Sequence, residues 1–109
     1  MKRTKHLGEL EQLVLMAALR LKEGAYGANI MRELRDRIGR ELAPGAIFAT
    51  VDRLERKGHL TTALGETTPG RGGKPKRYIT VTPEGILALQ KARETWTLLA
   101  DGLEEILER

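Results

Sequence analysis

The residues best suited to chemistry in this sequence are basic side chains on one short helical segment and on the loop after it. Arg53 and Lys57 belong to the segment. The loop, from Gly65 to Arg77, is rich in glycine and carries its cations in its second half, with no acid among them. These cations are Arg71, Lys74, Lys76 and Arg77. Because such side chains bind phosphate oxygens and glycine permits close backbone approach, the pattern predicts a nucleic-acid surface.

Both groups of cations also have a plainer interpretation. The helical ones can form a solvated face paired with Asp52 or Glu55, and the loop cations can simply aid solubility. The net charge of +4 does not decide between these interpretations, because ordinary soluble proteins carry as much. A cluster of cations beside glycines, directly after a helix-turn-helix pattern, favours nucleic acid.

The residue types needed for catalysis are scarce. The chain has two histidines, no cysteine and no serine, so a Ser-His-Asp set, disulfides and thiolate metal sites are excluded. The run from Gly70 to Lys74 lacks the spacing of a phosphate-binding P-loop, and no helix opens after it. We expect no enzyme activity, no metal site and no cofactor.

The helix that carries Arg53 is predicted to begin at Pro44, whose φ is already suited to a first helical position. Ile47, Val51 and Leu54 recur at spacings of four and three, which is typical of a helix side that packs against a core. Gly58 follows where the chain needs a positive φ to leave the helix, so we expect the helix to end near Lys57. Thr50 and Arg53 are assigned to its outer side.

The elements around this helix are predicted from the same kinds of pattern. Leu60 to Leu64 and Tyr78 to Val81 alternate as two strands, and we call the loop between them, Gly65 to Arg77, the wing. Glu9 to Lys22 forms a helix that is apolar almost all round, which indicates burial on more than one side. Tyr26 to Ile38 forms the next helix, with Ile38 directed inward. This helix and the one from Pro44 make a helix-turn-helix pair.

A last helix is predicted to open at Thr82-Pro83-Glu84, which supplies a capping hydroxyl and a proline at the first position. Its apolar residues are spaced three, four, three, four and three, the seam of helices that pair along their length. Packing onto the first helix is an alternative, and the two are compatible. The seam consists of Leu89, Ala92, Trp96, Leu99, Leu103 and Ile106.

The overall prediction is a mainly α fold with a small β-hairpin, a winged helix-turn-helix plus a long C-terminal helix. With 109 residues, 40% of them apolar, the chain can build one small core. We assign residues 1–8 to a basic arm, 9–82 to the winged helix-turn-helix and 83–109 to a dimerisation helix. The basic start lacks the pattern of a signal peptide, and no apolar run approaches the roughly 20 residues of a membrane span. A cytoplasmic location is expected.

Four segments together resemble the PadR family of bacterial winged-helix transcriptional regulators, in the short subgroup with a single helix after the wing. The resemblance runs from Leu13 to about Leu107. Family members usually have tyrosine where this chain has Phe48, so no polar DNA contact is assigned to Phe48. The segments are Gly24 to Gly27, Gly45 to Phe48, Arg53 to Leu60, and Gly72 to Tyr78 leading to Thr82 to Gly85.

The resemblance implies a homodimer, joined through its first and last helices, that binds a palindromic operator and usually represses it. Leu13 and the seam of the last helix would form the interface. Two recognition helices would then enter successive major grooves, about 34–36 Å apart. Thr50 and Arg53 are the candidates for base edges or adjacent phosphates, and Gly45 and Ala46 allow a phosphate to approach the helix start. Lys57, Arg71, Lys74, Lys76 and Arg77 would neutralise phosphates.

Trp96 is the candidate for an effector site. In a two-fold dimer two indoles could hold a flat aromatic molecule, as some PadR-like repressors do, or Trp96 could simply fill the interface. Two other functions remain open at this stage. A winged-helix module can bind RNA, and it can serve as a protein–protein adaptor with no role on DNA.

Overall fold

The computed structural model describes residues 6–65 and 75–108. It contains α1 (Glu9–Leu21), α2 (Gly27–Ile38), α3 (Pro44–Arg56), β1 (Leu60–Leu64), β2 (Arg77–Val81), α4 (Pro83–Ala100) and α5 (Glu104–Leu107). A single 3-10 turn, Lys22–Gly24, joins α1 to α2. The predicted mainly α fold with one small hairpin and a C-terminal helix is confirmed. Of the predicted basic arm, residues 1–5 lie outside the described part.

The core lies where α1, α2 and α3 meet the hairpin. Leu15 on α1, Ile30 on α2 and Leu54 on α3 are fully buried. Burial of a side chain of this size stabilises the fold by about 1.5–3 kcal/mol. The core cluster comprises Val14, Leu15, Ala17, Ala18, Ala25, Ile30, Leu34, Ile47, Val51, Leu54, Leu60 and Ile79.

The predicted start and end of α3 are confirmed. Pro44 occupies the first turn, and the helix ends at Arg56 with Lys57 as its C-cap. Gly58 has φ of 81°, a value that side-chain-bearing residues rarely adopt. There the N–H of Gly58 donates to the Glu55 carbonyl, and the N–H of His59 donates to the Leu54 carbonyl. These bonds satisfy carbonyls that the helix end leaves open.

The hairpin is antiparallel and is attached to the turn between α1 and α2. Leu60 pairs with Val81 and Leu64 with Arg77, so the second strand begins one residue earlier than predicted. The N–H of Ile79 donates to the carbonyl of Ala25 at 2.8 Å. This bond fixes the middle of β2 to the turn between α1 and α2.

The capped start predicted for α4 is confirmed. The Thr82 hydroxyl accepts from the Gly85 N–H at 3.1 Å and donates to the Gly58 carbonyl at 2.7 Å. Gly85 is buried, and a Cβ at this position would overlap the carbonyl oxygen of His59. Glycine at position 85 therefore allows α4 to pass directly over the backbone of His59, between the end of α3 and the start of β1.

The prediction of one continuous C-terminal helix is wrong. The helix ends at Ala100, and the chain turns through Asp101 and Gly102, whose φ is 88°. Leu103 and Ile106 follow the turn, Ile106 in the short α5, so they do not continue the seam of α4. The apolar residues do recur at helical spacing, but Gly102 adopts a positive φ, and this backbone conformation interrupts the helix.

The inward placement of Ile38 is also wrong, because this residue is exposed. The buried side of α2 is formed by Ile30 and Leu34, which are one turn apart. Ile38 lies a further turn along, immediately before the left-handed Gly39, where α2 has passed the edge of the core.

Candidate nucleic-acid interface

The side of α3 that faces away from the core forms the centre of the candidate interface. Gly45, Phe48, Ala49 and Arg56 are exposed along it. The N-cap Ala43 provides no side-chain cap, Pro44 has no N–H, and the N–H of Ala46 donates to the Ala43 carbonyl at 3.0 Å, so Gly45 is the residue at this helix start whose N–H can face an anion. Nothing lies within 4 Å of the position where a Cβ at Gly45 would be. The predicted approach of a phosphate to Gly45 and Ala46 is therefore sterically possible.

Thr50 does not belong to this outer side, and its predicted contact with base edges disagrees with the structure. The residue is fully buried. Its hydroxyl donates to the Ala46 carbonyl at 2.7 Å and accepts from Nη2 of Arg53 at 3.2 Å. Thr50 lies three residues after Ile47 and four before Leu54, which places it on the core side of the helix.

Arg53 remains exposed enough to reach a partner outside the chain, with 46% of its side chain accessible. Besides the bond to Thr50, its Nε lies 3.8 Å from a carboxylate oxygen of Glu11. The guanidinium is thus directed by two neighbours, one on α3 and one on α1. It retains donors for further hydrogen bonds.

Lys57 is engaged within the protein, so the predicted phosphate contact would compete with its partners at the start of α1. Its Nζ donates to both carboxylate oxygens of Glu11 at 2.8 Å and to the His6 carbonyl at 3.2 Å. Glu11 is only 5% exposed and also accepts from the N–H of Gly8 at 2.8 Å. Lys57 therefore balances a buried charge at the start of α1.

Glu11 remains ionised more readily than an ordinary glutamate. Burial alone would raise the pKa of this carboxyl, because a poorly solvated site disfavours charge. The hydrogen bonds from Lys57 and Gly8, with the charges of Lys57 and Arg53, outweigh burial and lower the pKa below its ordinary value. The sequence hinted at Glu11 only through its place three residues after the helix N-cap.

Arg77 fastens the hairpin to α3. Its two terminal nitrogens lie 2.9 Å from carboxylate oxygens of Asp52 and Glu55. Glu55 also accepts from the Thr62 hydroxyl at 2.8 Å, and this bond, with the one from Arg77, lowers the pKa of Glu55. The predicted phosphate contact by Arg77 would compete with these two acids.

Lys76 lies at the opening of the wing, beside the start of α2. Its Nζ is 4.5 Å from the centre of the Tyr26 ring and 3.4 Å from the Tyr26 hydroxyl. Tyr26 in turn meets Tyr78 edge to face, with ring centres 5.5 Å apart. Lys76 is exposed and keeps donors for a phosphate. Arg71 and Lys74 lie outside the described residues.

A second surface is apolar and is formed by α1 and α4. Met16 and Leu19 on α1, and Trp96 and Leu99 on α4, are exposed. They line a groove of about 980 Å³. Of the predicted interface residues, Leu13 and Leu89 pack against the chain's own core, and Ala92 is half-buried. Leu103 and Ile106 are exposed beyond the break.

Two other features are absent from residues 6–65 and 75–108. No group of three or more histidines and carboxylates there is arranged to hold a metal ion. None of the helices in this part of the chain combines the length and apolar character needed to cross a membrane.

A family model and solved structures of known proteins are similar to this chain, and they indicate the same family. The sequence matches the transcriptional regulator PadR-like family over residues 15–91. A PadR family transcriptional regulator from Eggerthella lenta has 30% identity and a TM-score of 0.69, with 92% of this chain and 87% of that chain covered. A PadR-like transcription factor from Bacteroides fragilis has 25% identity and a TM-score of 0.73, with 89% and 88% covered.

A transcriptional regulator from Clostridium thermocellum shares the fold. It has 22% identity and a TM-score of 0.71, over 88% of this chain and 87% of that chain. The search of curated proteins gave no match.

Proposed function

The chain belongs to the PadR-like family of DNA-binding transcriptional regulators, and from this premise we propose that it is a homodimeric repressor of a palindromic operator. The exposed apolar groove of α1 and α4 carries the proposal, since the described part of the chain holds one helix-turn-helix. A patch of this kind favours a protein partner. A second copy of the chain would cover the apolar groove and would also supply a second recognition helix. We place this activity in the cytoplasm, where the DNA is.

We assign the DNA contacts of each subunit to α3 and the wing. Arg53 is the candidate for a guanine edge, because its fork of donors matches the two acceptors of that base in the major groove. Gly45 and Ala46 receive a phosphate at the start of α3. Lys76 neutralises a phosphate, together with Arg71 and Lys74 from the part of the wing outside the described residues.

Selection of bound duplexes from a random pool tests the operator. We expect enrichment of a palindrome whose half-sites are one helical turn apart, about 34–36 Å, because a two-fold dimer presents its recognition helices at that spacing. Sedimentation of the free protein is expected to give a dimer. Enrichment of an asymmetric site or of no site would contradict the palindromic assignment, as would a monomer in sedimentation.

We propose repression as the consequence of binding, because a dimer on an operator that overlaps a promoter excludes polymerase. A reporter gene placed behind the selected operator tests this. Expression is expected to fall when the regulator is supplied, and a rise would contradict repression.

We propose Trp96 as the contact for a small planar aromatic effector that releases the operator. Its indole is exposed on the groove, and a two-fold axis would bring a second indole near it. Titration with planar aromatics is expected to quench or shift the fluorescence of Trp96, the single tryptophan of the chain. No change with any compound would leave Trp96 as a packing residue.

A further inference from the structure

A buried carboxylate on α1 is shared by two cations of the DNA-binding helix. Glu11 contacts Lys57 at 2.8 Å through both oxygens and approaches Nε of Arg53 at 3.8 Å. Lys57 is 46 positions away along the chain, so this contact joins the start of α1 to the end of α3. Glu11 itself is 5% exposed, which leaves it unable to contact a large external partner.

The carboxylate of Glu11 binds Lys57 closely and Arg53 only loosely. Lys57 is held through its ammonium, which also donates to the His6 carbonyl, and it is drawn toward α1. Arg53 is held more loosely, and its Nη2 is directed by the hydroxyl of buried Thr50 at 3.2 Å. The arrangement retains one cation inside the protein and presents the other at the surface.

On the basis of the DNA-binding function proposed above, we propose that Glu11 is a specificity-determining positioning residue. It withholds Lys57 from the phosphates and, with Thr50, orients Arg53 toward a base edge.

The two effects act on different parts of DNA affinity. A lysine on a phosphate strengthens binding to every sequence and makes it more dependent on salt. Holding Lys57 inside therefore lowers binding to the operator and to unrelated DNA alike, together with the salt dependence. An arginine already fixed in direction loses less conformational freedom when it meets a base, which strengthens binding to the correct sequence. The orientation of Arg53 is therefore the effect that widens the ratio between the affinities for operator and for unrelated duplex.

Glu11→Gln is the test, because glutamine keeps the size of the side chain and removes its charge. Affinity for the selected operator and for a scrambled duplex is measured across a salt series. We expect tighter binding to the scrambled duplex and a salt slope larger by about 0.9 for each subunit, since Lys57 is released to a phosphate. The ratio of the affinity for the operator to the affinity for the scrambled duplex is expected to fall by roughly tenfold, which is the contribution of about one base contact.

Glu23→Gln is the matched control, since it removes the same charge from an exposed position in the turn after α1. It is expected to leave the salt slope and the ratio at their wild-type values. The double variant Glu11→Gln/Lys57→Gln is expected to return the slope to the wild-type value while the ratio stays low. A double variant that retains the larger slope would overturn the role given to Lys57.

Thr50→Val removes the hydroxyl that orients Arg53 but leaves Lys57 bound to Glu11, so it separates the two effects. The same variant tests the proposal if Glu11→Gln does not fold. It is expected to lower the ratio without a change in slope, because Lys57 stays on Glu11. A wild-type ratio in Thr50→Val, or a wild-type slope and ratio in a folded Glu11→Gln, would overturn the inference. Failure of the wild-type protein to distinguish the two duplexes would instead overturn the proposed function.

Discussion

At the residue scale, the charge of Glu11 affects stability as well as DNA contacts. The pKa of this carboxyl is lower in the folded protein than in the unfolded chain, so the ionised pair with Lys57 stabilises the fold. That contribution is complete above the ordinary glutamate pKa of about 4.3, and it is lost as pH falls through the lowered value. Acid should therefore weaken the contact between α1 and α3.

We expect the wild-type protein to lose this stabilisation in acid and Glu11→Gln to lack the loss. Chemical denaturation from about pH 7 to about pH 3 measures the free energy of unfolding of both proteins. Below about pH 4 the wild-type value should fall more steeply than the variant value. The lowered pKa values of Glu33 and Glu55 are common to both proteins and cancel in the comparison. Parallel curves would contradict the role of Glu11.

The partners of Lys57 explain why its role was not predictable from the sequence. Helical spacing gives the side of a helix on which a residue lies, but the acid that binds Lys57 comes from α1. The prediction that Thr50 lies on the outer side of α3 was wrong for a more local reason. Its hydroxyl is satisfied by the Ala46 carbonyl in the preceding turn, which allows a polar side chain to face the core. Polarity alone was therefore a poor guide to the outer side of α3.

At the element scale, the hairpin is held to α3 by Arg77, whereas Lys76 is available to DNA. Arg77→Gln removes the contacts with Asp52 and Glu55, and because these are partly exposed we expect a loss of stability of no more than about 1 kcal/mol. Operator affinity should fall with an unchanged salt slope. Lys76→Gln, the matched variant, should lower the slope by about 0.9 for each subunit. Equal effects of the two variants on the slope would contradict this division.

Because α4 passes close to the backbone of His59, one added methyl group at Gly85 should lower the stability of the protein. Gly85→Ala places a Cβ against the His59 carbonyl, and we expect a loss of about 1–3 kcal/mol in the free energy of unfolding. Gly45→Ala is the control, since its Cβ meets open space, and it should change stability by less than about 1 kcal/mol. Thermal unfolding of the two variants measures the difference. An unperturbed Gly85→Ala would contradict the observed packing.

Elements with local start and stop signals were the predictable part of the fold. Pro44, Gly58 and Thr82 each act on their own helix end through φ or through a short-range hydrogen bond. The end of α4 was missed because the apolar spacing was counted across Gly102 without regard to its backbone freedom. Periodicity reports which side of a helix is apolar, but it does not report whether the helix continues.

At the scale of the whole molecule, the dimer depends on which side of α4 is covered. Trp96 lies on the predicted seam and lines the groove, whereas Leu87 lies nine residues earlier on the opposite side of the same helix, with 55% of it exposed against 66% for Trp96. Trp96→Glu would bury a charge in the interface and is expected to give monomers at micromolar concentration. Leu87→Glu should leave the dimer intact. Sedimentation of both variants measures this, and dimers or monomers in both would contradict the assigned seam.

The attachment of β2 to the turn between α1 and α2 affects how this protein can diverge from its relatives. The bond from Ile79 to Ala25, with the neighbouring Tyr26 and Tyr78 pair, fixes the position from which the wing leaves the body. The described core residues all lie outside the wing, so a change in the length or charge of the wing substitutes none of them. A regulator built in this way can exchange its wing under selection for a new promoter while it keeps the same folded body.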